Sequence, residues 1–124
     1  MMYPLCRQTV TVYRLVEDEV YRQVFPWAFL DCRESRDLNK KGSQLTHSFL
    51  LVIPGSSQQV FVGDKVFDGI GPEITRQEWG RFVPANVPEL VMVSHAGVKR
   101  FQGKIVHTEA GGSVQRYTNL SQNR

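Results

Sequence analysis

Apolar residues recur at every second position over several short segments of this chain, and that period is the strongest constraint on its fold. Within residues 8–16, Val10 and Val12 alternate with threonine and tyrosine. Such a period of two in β-branched residues is the pattern of a half-buried strand. Residues 45–53 alternate in the same way, and residues 20–32 are rich in valine and aromatic side chains. The chain is therefore predicted to be built mainly from strands.

Turn-forming residues separate these segments and limit helix formation. The chain holds 10 glycines and 6 prolines, and Pro26 within the second segment predicts a break, a bulge or an edge position. One short helix is predicted over residues 75–82, because Thr75 and Glu78 have the spacing of a capping box and Gly80 shortens the helix. We therefore expect a mainly β fold, a small β-barrel or sandwich with one short helix and long loops.

The length of 124 residues corresponds to one domain. We expect a single β-rich domain over residues 1–111, followed by a polar C-terminal tail over residues 112–124, where apolar residues become rare. Residues 34–44 form the most polar internal stretch and are predicted to be an exposed loop. Met1 to Arg7 has no charged leader before an apolar core, so we expect no signal peptide and synthesis in a cytosol.

Charge and motif content favour no catalytic chemistry. Lysine and arginine number 15 against 12 acidic residues, a mild excess compared with dedicated nucleic-acid binders. The residues suited to binding a soft metal lie in no recognised ligand spacing: Cys6, Cys32, His47, His95 and His107. We expect no metal, no cofactor and no enzymatic activity, and both cysteines as reduced thiols.

Two groups of residues are candidates for binding a partner. The first is a basic loop that contains Arg33, Arg36, Lys40 and Lys41. It also carries acidic residues, so a solvated loop and a phosphate-contacting loop both remain open interpretations.

The second group comprises Phe25, Trp27 and Phe29, which a regular strand would place on one face. A base-stacking platform, core packing and a subunit interface would all produce this pattern. The neighbouring apolar positions on the other face of the same strand favour a partner surface.

The order of several segments resembles a known family. These are the opening of the chain over residues 3–13, Lys41-Gly42, the strand end Val52-Ile53-Pro54, the phrase over residues 63–69, and Lys104-Ile105-Val106-His107 before a Gly-Gly. Together they resemble the small minor-capsid or head-completion proteins of tailed bacteriophages and prophages, over roughly residues 6–110.

The resemblance implies a structural virion protein, a head-completion or stopper subunit of the phage neck. Such a subunit forms a homo-oligomeric ring that links the portal-adaptor complex to the tail and seals the DNA channel. The implied partners are adaptor and tail-terminator proteins, with non-specific contact to genomic DNA in the channel. The ring would be twelve-fold at the portal axis or six-fold if tail-associated, assembled in the host cytoplasm with no membrane contact. The loop over residues 34–44 is then the first candidate to enter the channel, and the stretch over residues 55–59 is the second.

Two other functions remain open from the sequence. One is a tail-terminator or tail-completion ring subunit, which differs in ring symmetry and neighbouring genes. The other is a non-viral SH3-like or OB-like nucleic-acid module, because the turn at Gly63-Asp64-Lys65-Val66 is similar to turns in such barrels.

Overall fold

Seven antiparallel strands form one strongly curled half-barrel sheet. This computed structural model describes the backbone of residues 3–39 and 42–118, and the side chains of residues 3–33 and 47–112. The strands are β1 (Gln8–Val16), β2 (Glu19–Asn39), β3 (Gly42–Pro54), β4 (Lys65–Asp68), β5 (Leu90–Met92), β6 (His95–Phe101) and β7 (Lys104–Thr118). The expected mainly β, barrel-like fold is confirmed.

The strand order in the sheet is β5-β4-β1-β2-β3-β7-β6. β1 and β2 form the predicted hairpin through a turn in which Glu17 and Asp18 both have positive φ, the backbone of a type I′ hairpin turn. The sheet curls enough to bring the end of β5 towards β7, where the Ser94 amide donates to the Gly111 carbonyl at 2.9 Å. The two ends of the strand order thus approach each other.

Apolar side chains fill the concave side of this half-barrel. The inner core consists of Val10, Val12, Ala28, Leu30, Leu51, Ile53, Val60, Val66, Val93 and Ala110, with Phe49 packed against it. One core therefore contains Val10 and Val12 of β1 together with Phe49, Leu51 and Ile53 of β3, as their period predicts.

A second core lies on the convex side of β1. Tyr13, Phe82 and Leu90 are buried there, and the chain between β4 and β5 covers them. Thr11 and Tyr13 hold this chain in place, since their hydroxyls donate to the carbonyls of Gly69 at 2.8 Å and Pro72 at 2.5 Å. Both faces of β1 are thus buried.

The predicted helix over residues 75–82 is replaced by a single 3-10 turn, Trp79–Arg81. Its capping box is present, because the Thr75 amide donates to Glu78 Oε1 at 2.8 Å and the Glu78 amide donates to Thr75 Oγ1 at 3.3 Å. These hydrogen bonds lower the pKa of the exposed Glu78 carboxyl. Gly80 disfavours a longer helix, and the buried Lys65 ammonium binds the carbonyls of Trp79 and Phe82 at 2.6 and 2.8 Å. The Lys65 side chain therefore binds backbone carbonyl groups at both ends of this turn.

Strand lengths differ from the prediction at three places. β2 and β3 extend through residues predicted as a loop over 34–44, and they pair as far as Asn39 and Gly42. β6 runs through Ala96-Gly97, a dipeptide that from the sequence alone indicates a turn between strands. β7 continues past residue 112 and pairs with β3 as far as Thr118, so the first part of the predicted polar tail is a strand. Residues 119–124 lie outside the described part.

The inner core predicts a sharp contrast between two adjacent leucines of β3. Leu51 is fully buried, whereas Leu50 on the opposite face is 42% exposed. Leu51→Ala should lower the free energy of unfolding by about 2–5 kcal/mol, and Leu50→Ala by less than about 0.5 kcal/mol. Urea unfolding of the two variants measures both values, and equal losses would contradict the strand register.

Candidate functional site

Three strands continue beyond the barrel as an arm, which we define as residues 33–39 of β2, 42–48 of β3 and 113–118 of β7. β3 is the central strand of the arm. Its residue Ser43 pairs with Leu38 of β2 on one side and with Thr118 of β7 on the other. Six or seven residues per strand give the arm a length of roughly 20 Å. Within the described residues, the outer edges of β2 and β7 along the arm pair with no further strand. The arm is the largest projection of the fold.

The predicted basic loop is therefore a strand pair in its described part. Arg33 and Arg36 belong to β2 and pair with Ser48 and Leu45 of β3, while Lys40 and Lys41 lie outside the described residues. The prediction failed because alternating charged and polar residues were interpreted as a loop, although a solvated two-stranded ribbon tolerates the same composition. The Arg33 guanidinium donates to Asp31 Oδ2 at 2.9 Å and its side chain is 79% exposed.

The strand β2 does not place Phe25, Trp27 and Phe29 on one face. Phe25 pairs with Val10 and Ala28 pairs with Gln8, so two steps along β1 match three along β2. This β-bulge at Pro26-Trp27 confirms the irregularity predicted from the proline, and it changes which residues face the core.

As a result, Phe25 packs on the inner core and Trp27 is 61% exposed. Phe29 pairs with Val52 on the convex face, between the inward-facing Ala28 and Leu30. Trp27 and Phe29 remain candidates for a subunit contact on the convex side, whereas Phe25 is a core residue.

A pocket of about 270 Å³ opens where the arm joins the barrel, and we call it the root pocket. Residues from β2, β3, β5 and β7 and from the chain before β5 line it: Cys32, His47, Ser48, Phe49, Pro84, Ala85, Pro88, Leu90, Val91, Met92 and Gly112. Gly112 is needed there, because a Cβ at this position would lie 2.5 Å from the Met92 carbonyl oxygen. Close contact between β7 and β5 thus forms the base of the pocket.

The root pocket has a single thiol in a mostly apolar lining. Burial, followed by the charges of Asp68 and Asp31, raises the pKa of Cys32. Because its pKa is raised, the neutral thiol dominates at neutral pH, and the neutral thiol is less reactive than the thiolate. The arrangement favours the packing of an apolar group over nucleophilic chemistry.

Two buried ions, one on each side of the sheet, were not predicted from the sequence. Asp64 is 1% exposed, and its carboxylate accepts from Arg14 Nε at 2.9 Å, Arg14 Nη2 at 2.8 Å and the Phe61 amide at 2.9 Å. The hydrogen bonds that Arg14 donates to Asp64 raise the pKa of the Arg14 guanidinium. Lys65 is 3% exposed and lies 4.0 Å from the Trp79 ring centroid, and burial lowers its pKa. The sequence shows that Asp64 and Lys65 are adjacent and follow a glycine. It does not show which residues bind the carboxylate and the ammonium.

A hydrogen-bonded chain attaches the N-terminal segment to β7. The Tyr3 hydroxyl lies 2.6 Å from His107 Nδ1, and His107 Nε2 lies 2.9 Å from Glu109 Oε2. Desolvation, and then the nearby Cys6 and Glu109, raise the pKa of Tyr3. The Tyr3 phenol therefore stays protonated at neutral pH. The hydrogen bonds that join Tyr3, His107 and Glu109 hold the N-terminal segment against β7.

Of the five cysteine and histidine residues considered as metal ligands, Cys32 and His47 both line the root pocket. Within the described residues, no three side chains from His, Cys, Asp and Glu are grouped as a metal site would require. Cys6 is buried and Cys32 is exposed, and neither forms a disulfide.

Comparisons with known proteins identify no relative. No protein-family model, curated protein or solved structure matches the chain. Among the described residues, no helix has both the length and the apolar character to span a membrane.

The contrast between two ion pairs gives a direct test of what stabilises the barrel. Asp64→Ala removes three accepted hydrogen bonds. It leaves the Phe61 amide without a partner and the Arg14 guanidinium with the Gln59 carbonyl as its remaining acceptor, at an expected cost of about 2–3 kcal/mol. Asp31→Ala removes the exposed pair with Arg33 and should cost less than about 1 kcal/mol. Urea unfolding at pH 7 measures both, and a larger loss for Asp31→Ala would disprove the assignment.

Proposed function

We propose that this chain is a structural virion protein of a tailed phage, a head-completion or stopper subunit that forms a ring in the neck. In that role it links the portal-adaptor complex to the tail and seals the DNA channel, without enzymatic activity. It assembles in the host cytoplasm and contacts adaptor and tail-terminator proteins. The observation that carries the proposal is the three-stranded arm, together with the resemblance described above.

The arm supplies what a subunit between two different rings needs. A ring closes through heterologous contacts, in which two unlike patches of each subunit meet. The arm leaves strand edges of β2 and β7 without partners among the described residues, and such edges accept a strand from another chain. An arm of roughly 20 Å also extends well beyond the barrel that carries it.

The root pocket and the convex face offer contacts of a different kind. The pocket has a mainly apolar lining beside the arm, while Trp27 and Leu50 are exposed apolar residues outside the inner core. Aromatic and apolar residues of this kind are enriched in the cores of protein interfaces. The barrel therefore presents unlike surfaces, as a heterologous ring requires.

Shortening the arm tests the proposal without changing the barrel. Because Arg36 pairs with Leu45, residues 37–44 can be replaced by Asn-Gly, a two-residue hairpin turn. The variant should keep the melting temperature within about 4 °C, since less than about 1 kcal/mol of stability is at stake, and should lose incorporation into rings. Assembly is measured by negative-stain microscopy in the presence of a portal-adaptor complex.

A matched control places the same Asn-Gly turn at the β1–β2 hairpin by Glu17→Asn and Asp18→Gly, and it should assemble normally. Twelve-fold rings of wild type on the portal-adaptor complex support the proposal. Six-fold rings on tail tubes would instead indicate a tail-terminator subunit. Nucleic-acid binding with no ring under any condition would indicate a nucleic-acid module. Normal assembly of the shortened variant would refute the role of the arm.

A further inference from the structure

The hairpin between β6 and β7 has a one-sided charge. Residues 90–108 contain no aspartate or glutamate, while Lys99, Arg100 and Lys104 lie around the turn of this hairpin. We call Lys99 to Lys104 the basic tip. Its three cations equal the net charge of +3 of the whole chain. The basic tip alone therefore carries as much positive charge as the whole chain has in excess.

The cations of the basic tip are largely free of carboxylate partners. Lys99, Arg100 and Lys104 are all exposed. Lys99 Nζ approaches Glu109 only at 4.0 Å, and within the described residues Arg100 and Lys104 form no ion pair. By contrast, the exposed Arg76 pairs with Asp18 at 3.2 Å. The tip thus presents charge available to an external anion.

The backbone of the basic tip is a tight turn. Gln102 and Gly103 both have positive φ, at 53° and 79°, as in a two-residue type I′ hairpin turn, whose twist matches that of the flanking strands. The register shifts between Lys99 and Arg100, so β7 carries one extra residue there and the hairpin twists more strongly. A turn whose backbone is fixed in this way loses less conformational entropy on binding than a flexible loop does.

One aromatic side chain accompanies the cations. Phe101 is 60% exposed and pairs with Lys104 across the turn. A protein partner normally needs a contact of about 1,000 Å² with an apolar centre, which a six-residue tip with a single exposed aromatic does not provide. A polyanion needs only well-placed charges, because released counterions supply the binding free energy.

We propose that the basic tip binds the phosphodiester backbone of double-stranded nucleic acid through Lys99, Arg100 and Lys104. The proposal rests on the neck role, where DNA fills the channel, and it assigns the DNA contact to the β6–β7 hairpin. The segment over residues 33–41, which was predicted as a basic loop, is a weaker candidate, because it alternates cations with Glu34 and Asp37 and Arg33 is already paired with Asp31. Contact with phosphates carries no sequence information, so the binding is non-specific.

The test measures fluorescence anisotropy of a labelled 30-base-pair duplex with purified full-length protein, between 50 and 200 mM NaCl. Each phosphate contact contributes about −0.9 to the slope of log K against log[salt]. The triple variant Lys99→Gln, Arg100→Gln and Lys104→Gln should therefore weaken the slope by about 2–3 and reduce affinity at 50 mM NaCl at least ~10-fold. A matched control, Arg7→Gln with Arg76→Gln and Arg81→Gln, removes the same charge from other exposed positions and should change affinity less than ~2-fold.

Three results would overturn the proposal. These are wild-type binding by the basic-tip variant, equal losses in both triple variants, or displacement of the duplex by polyglutamate at equal charge concentration. The last would indicate an acidic protein as the partner. Ring formation with the portal-adaptor complex is measured separately for the basic-tip variant and should persist. Rings without DNA binding would refute only this inference, whereas DNA binding without rings would refute only the neck role.

Discussion

The structure depends on a single strand that belongs to both halves of the curled sheet. β2 pairs with β1 over its first part and with β3 over its second, and the bulge at Pro26-Trp27 lies between the two. The extra residue allows Phe25 and Ala28 both to face the inner core. In a regular strand, residues three positions apart would lie on opposite faces. Without it, the alternation continued from Phe25 would turn Ala28 and Leu30 outward. The bulge therefore decides which residues of the second half form the core.

Burial on both faces of β1 explains why the long connection before β5 is part of the fold. The Asp64–Arg14 pair lies on the concave side and Lys65 points to the convex side, since Tyr13 and Lys65 are register partners and Tyr13 belongs to the second core. Each ion has protein partners: a guanidinium and an amide for Asp64, and two carbonyls with an indole ring for Lys65. Buried ions are tolerated when they are paired and hydrogen-bonded in this way. Two adjacent charged residues thus bind the barrel to the elements on either side of it.

The parts of the fold that follow from local pattern were predictable, and the parts that depend on distant partners were not. The alternation over residues 8–16 gave β1 with its observed bounds, and Pro26 indicated the bulge. The arm was missed because its alternation is between polar residues, which carry no burial signal. β6 was missed because His95-Ala96-Gly97 resembles a turn, and it is a strand only because β7 supplies its hydrogen bonds. The partners of Asp64 lie about 50 residues away in Arg14 and three residues away in Phe61, and only the closed barrel brings the first of these near.

The candidate surfaces follow from the same division between local and distant information. Cations in a row are visible in any sequence, but whether they are available depends on neighbours in space. Arg33 and Arg76 look like free charges and are paired with Asp31 and Asp18. The basic tip keeps its charge because β7 brings only Glu109 near it, at the limit of an ion pair. A hairpin turn fixed by two left-handed residues then holds those cations at the edge of the sheet, where the strand order ends in β6. Position at a sheet end, rather than the number of basic residues, makes this element the better anion contact.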